Sequence, residues 1–211
     1  VIGVTPLMMA GNAVNATIIC MAFSGMPFAF GVFVWTALIY AMAFSGYHSW
    51  RKSKARPFPN RVSERTISKV AINSTLLGLL WGAVPLLAYP GGDLATKLII
   101  VGFVGGMMGG GCFALYMVPH ALVGYLSGIF GSFLVALTMS RGPGDTTVGA
   151  LLLMYYGSLL TASLTVARMF AASKISALKV EEQASIIGLL LNDFEEGASD
   201  WLWETDDSGM T

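Results

Sequence analysis

Charge is scarce in this sequence. Of its 211 residues only 11% are Asp, Glu, Lys or Arg, while 55% are hydrophobic; soluble domains carry about 25% charged residues. That shortage excludes a disordered chain and an ordinary soluble enzyme. Acidic and basic residues cancel at twelve each, which excludes a nucleic-acid binder resting on net basicity. Cysteine occurs only at Cys20 and Cys112, both in apolar segments, so buried free thiols are expected rather than a disulfide framework. The phosphate loop G-x-x-x-x-G-K-[ST], the zinc helix H-E-x-x-H, the nucleophile elbow G-x-S-x-G and the pair C-x-x-C are all missing. No catalytic constellation is visible and no cofactor is implied. The chain opens at Val1 without a basic stretch and small-residue cleavage site, so no cleaved signal peptide is expected.

What is abundant is apolar sequence in long runs. A helix needs about 20 apolar residues to cross a bilayer. Six stretches qualify: 4–23, 27–46, 70–89, 94–117, 119–139 and 147–170. Turn residues separate them, at Ser24-Gly25-Met26-Pro27, Pro90-Gly91-Gly92-Asp93, Val118-Pro119 and Arg141-Gly142-Pro143-Gly144-Asp145. The expected fold is an all-α integral membrane protein: a six-transmembrane-helix bundle followed by a cytoplasmic coiled-coil signalling helix. Membrane lipids are its first partner.

The neutral total hides two opposite excesses. The connection 47–69 holds Arg51, Lys52, Lys54, Arg56, Arg61, Arg65 and Lys69 against one acid, Glu64. The positive-inside rule puts that loop in the cytoplasm, and counting spans puts both termini there too. Nine of the twelve acids lie between Glu181 and Asp207, after the last span. Headgroup contact and topogenesis account for the basic loop, so no nucleic acid is expected as a partner.

Within the spans, Gly102, Gly106 and Gly110 recur every fourth residue, as do Gly105 with Gly109 and Gly124 with Gly128. Such stripes predict close helix packing, and the run 105–111 predicts a flexible or kinked section. Pro85 predicts a kink in the third span. Asn12, Asn15, Asn73, Ser74 and His120 need partners inside the bilayer. No span carries a charge near its middle, which argues against a proton pump or ion-coupled transporter.

Cys112, Met117 and His120 fall within nine positions of one another. Thiol, thioether and imidazole are ligands for Cu(I), and His with Met for haem. They are the candidate metal ligands. Against that reading, Cys112 and Met117 stand about 140° apart round a helix, and His120 follows Pro119 in a turn. The competing reading is an interfacial histidine beside apolar filler.

Beyond the sixth span, Phe170, Ser173, Ala177, Val180, Ala184, Ile187, Leu191, Phe194 and Ala198 alternate at steps of three and four. That is a heptad seam on a helix expected over 171–198. A second copy would bury it as a parallel coiled coil; packing on its own domain is the alternative. Trp201 and Trp203 then alternate with Leu202 and Glu204 as in a strand, and Asp207-Ser208-Gly209 signals a turn. A lone strand is not a domain, so a continuation is expected.

The segment Ala198-Ser199-Asp200-Trp201-Leu202-Trp203-Glu204-Thr205-Asp206 resembles the opening of a PAS domain in membrane-bound bacterial signalling proteins. The preceding region, with Thr5-Pro6-Leu7-Met8-Met9 and Leu79-Leu80-Trp81-Gly82, is similar to the N-terminal membrane region of alphaproteobacterial proteins of that kind. The resemblance implies PAS, GGDEF and often EAL outputs, which make and break cyclic di-GMP; no GGDEF or EAL residue is present. A histidine kinase output fits the same opening. The domains expected are a membrane sensor and anchor at 1–172, a signalling helix at 173–198 and the start of a PAS-like domain at 199–211. The function expected is a dimeric membrane sensor in the bacterial inner membrane, relaying an unidentified stimulus to a diguanylate cyclase or phosphodiesterase. A metal- or haem-binding membrane protein is the rival.

Overall fold

The computed structural model of the protein describes residues 5–54, 64–140 and 142–201. These form six α-helices: α1 Thr5–Ala22, α2 Ala29–Lys54, α3 Glu64–Ala88, α4 Leu94–Leu115, α5 Pro119–Ser140 and α6 Asp145–Trp201. Five of them are long and apolar enough to cross a membrane. The described part of the first is a shorter apolar helix, Pro6–Ala22, and a turn at Ser24-Gly25-Met26 follows it. The architecture is an all-α bundle of the multi-spanning membrane kind. Its outward side chains agree: Leu7, Phe30, Phe113 and Met154 are each more than 70% exposed, which suits lipid and not water.

The chain divides into two compact units, 1–167 and 168–211. In the first, the core gathers Trp35, Trp81, Tyr89, Ile100, Met108, Leu122, Leu126, Ile129 and Phe133. Its centre is the crossing of α3 with α5. Gly78 lies against the backbone of Tyr125, and a Cβ on Gly128 would stand 2.9 Å from the amide nitrogen of Leu79. Only glycine permits that approach. Gly82 likewise meets Ser132, and Gly124 meets Thr75.

Of the glycine stripes expected to pack, the pair Gly124 and Gly128 on α5 does so, and the stripe on α4 largely does not. Gly102, Gly105, Gly106 and Gly110 of α4 have open space where a Cβ would stand. Four-residue spacing marks a smooth face, but whether a helix lies on it depends on which helices meet. The run 105–111 is helical without interruption. The α3 helix also continues past Pro85, where Tyr89 N donates to the Pro85 carbonyl at 3.0 Å.

The second unit is the C-terminal part of α6. The expected sixth span and the expected signalling helix belong to this one 57-residue helix. The seam residues Phe170, Val180, Ile187, Leu191 and Phe194 are all exposed. The helix is described as far as Trp201, the first residue of the expected strand, which is helical; residues 202–211 of the PAS-like segment lie outside the described residues.

Candidate functional site: a polar cluster at one end of the bundle

Four chain segments meet where α3 turns into α4 and α5 turns into α6. The turn after α3 carries Asp93, whose carboxylate accepts from the Thr96 amide at 2.8 Å and caps α4. That same bonding, from the Thr96 side chain and its amide, holds the Asp93 carboxyl below the usual carboxylate range. The cap fixes the first turn of α4 and with it Lys97. The turn after α5 runs through Gly144, whose φ of +89° needs no Cβ. It delivers Asp145 as the first residue of α6, where a negative charge suits the helix dipole.

The side chains then converge. Lys97 Nζ stands 3.3 Å from Asp145 Oδ1 and donates to Ser140 Oγ at 2.7 Å. The Tyr89 hydroxyl donates to Asp145 Oδ1 at 2.9 Å, and the Gly142 amide donates to Asp145 Oδ2 at 2.5 Å. The Lys97 ammonium lies 4.8 Å from the centre of the Tyr89 ring, and Phe133 meets that ring edge-on at 5.1 Å. Asp145 and Tyr89 are buried and Lys97 is mostly so. Burial first, then the hydrogen bond to Asp145 and its negative charge, push the Tyr89 phenol up to about 12. Among the described residues no other ion pair occurs between a basic and an acidic side chain. The cluster ties the ends of α3, α4, α5 and α6 with charge-assisted bonds and leaves none of its buried polar atoms unpaired.

The cluster escaped the sequence reading, which searched the middles of spans for charge. A signal was there: Lys97 and Asp145 have opposite signs and flank two turns that span counting puts on the same side.

The polar groups singled out from sequence fare differently. Asn12 accepts from Trp81 Nε1 at 3.1 Å and donates to the Met8 carbonyl at 3.0 Å. Trp81 meets Trp35 edge-on at 5.0 Å and Phe103 at 5.3 Å, and Trp35 Nε1 donates to the Leu80 carbonyl at 2.6 Å. Asn15 reaches Met107 Sδ at 3.4 Å. Ser74 is buried, while Asn73 is exposed. Of the candidate metal ligands, Cys112 is buried, whereas Met117 and His120 are exposed, and His120 lies in the first turn of α5 rather than in a turn between helices. One side chain faces the core and two face outward.

Comparison with family profiles, with curated proteins and with solved structures finds no match to this chain. The geometry therefore carries the functional reading.

Proposed function

We propose that the protein is a membrane sensor and anchor module of a dimeric signalling protein, with α6 as its relay. The observation that carries the reading is the continuity of α6. One helix begins at the Asp145 cluster and ends in an exposed apolar heptad row. A helix that leaves a packed bundle can carry a displacement along its length, and a heptad row suits a second copy of itself. The basic excess at 47–69 supports an orientation with both termini in the cytoplasm of a bacterial inner membrane. The PAS-like segment supports output through PAS and diguanylate cyclase or phosphodiesterase domains.

The test is oligomeric state in lipid nanodiscs and in detergent, for the wild type and the double variant Leu191→Asp, Phe194→Asp. A wild-type dimer that the variant loses is expected. Monomers in both sink the dimer. For the output, the same substitutions in the chromosomal copy should change cellular cyclic di-GMP; an unchanged level removes cyclic di-GMP from the reading.

A further inference from the structure

The attachment of α6 is unlike the contacts among the other helices. The closely packed pairs are α3 with α5, α1 with α2, α4 with α5, α2 with α3 and α3 with α4; α6 is not among them. Only 11% of its most apolar window is buried, against 50% for α5. Side-chain packing holds it instead, with Leu152 buried in the core and Val148, Leu159 and Leu160 against it, together with a few directional bonds. The Tyr155 hydroxyl donates to the Gly105 carbonyl at 3.2 Å. Tyr156 stacks on Phe130 with centroids 4.6 Å apart, and its hydroxyl meets Ser127 at 2.9 Å. The charged tether is Asp145 with Lys97, Tyr89 and the Gly142 amide.

A helix locked by interdigitated backbone cannot move without repacking its neighbours. A helix packed through side chains alone can shift by rotamer changes, so its exact place depends on the directional bonds it makes, and the strongest of these are charge-assisted. Those bonds sit beside Gly144, the one described glycine with positive φ. Glycine at that point lets the backbone change direction without a side-chain penalty, so the strongest tether lies beside a position that can serve as a joint.

We propose that Lys97 and Asp145, with Tyr89 and Ser140, form a latch that fixes α6 against α3, α4 and α5, and that opening it lets α6 shift about Gly144. The latch is a property of the first unit; its meaning for signalling rests on the relay reading above.

Distances between spin labels test it. Labels go at Phe113→Cys on α4 and Leu151→Cys on α6, both exposed, with Cys20→Ala and Cys112→Ser as background. Pulsed dipolar spectroscopy is run in nanodiscs, with labelled protein diluted by unlabelled. The latched form should give a narrow distribution. Asp145→Asn and Lys97→Met should broaden it and displace its mean by about 1–2 Å, the scale of helix shifts in switching proteins. Tyr89→Phe keeps both charges and removes one bond; it should move the distribution the same way by less, and it serves if the charge variants do not fold. Distributions unchanged in every folded variant overturn the latch. A label at Ile187→Cys, read between copies, separates the two readings. Movement between α4 and α6 without change at Ile187 sinks the relay and leaves the latch, while no movement there sinks the latch whatever Ile187 reports.

Discussion

Tyr89 concentrates the physics of the cluster in one side chain. Its ring faces an ammonium and a phenyl edge, and its hydroxyl holds a carboxylate. A phenol titrates near 10 in an unfolded chain, and in the folded protein Tyr89 is pushed up to about 12. The folded state therefore favours the protonated form. Its contribution is complete below about pH 10 and is lost as pH rises from 10 to about 12. In detergent, the wild type should lose thermal stability across that window more steeply than Tyr89→Phe. At neutral pH the variant should be less stable by about 1.5–3 kcal/mol, the range for a hydrogen bond to a charged group. Parallel pH profiles for the two proteins would remove Tyr89 as the titrating group.

At the scale of the element, the glycines separate helices that interlock from helices that do not. A Cβ on Gly128 meets the backbone of Leu79, which has no rotamer to move away. Gly128→Ala should destabilise the bundle by about 1–3 kcal/mol, the usual cost of overpacking. Gly106→Ala meets open space and should raise helix stability by about 1 kcal/mol or leave it unchanged. Unfolding midpoints in a denaturing detergent series compare them; equal losses at the two positions contradict the crossing described. The helices and the turns between them were legible in the sequence because apolar runs and Gly-Pro breaks are local signals. The crossing was not, since Gly78 and Gly128 become partners only when α3 and α5 meet. The Lys97–Asp145 pair was hidden for the same reason, being 48 positions apart in the chain. The candidate ligands Cys112, Met117 and His120 were singled out because they are close in sequence. A turn between α4 and α5 separates the first from the last, and their exposure differs accordingly.

For the whole molecule, the proposed orientation fixes which segments face which compartment. Gly91 lies between α3 and α4, and Lys179 lies in the second unit. Three helices, α4, α5 and α6, pass between these points, an odd number of crossings that holds whether or not the short α1 spans. Gly91→Cys should react with a membrane-impermeant maleimide in intact cells, and Lys179→Cys only after lysis. The reverse pattern inverts the orientation. The crossing of α3 with α5 also bears on how the protein is made. Its partners are not consecutive, because α4 comes between them. Synthesis from the end of α3 to the end of α5 covers about fifty residues, roughly 3–10 s at 5–20 residues per second. Through that interval α3 waits in lipid with Gly78 and Thr75 uncovered. The tightest joint in the finished protein is thus a late one in its assembly, and substitutions there should show first as failed insertion products degraded by the cell.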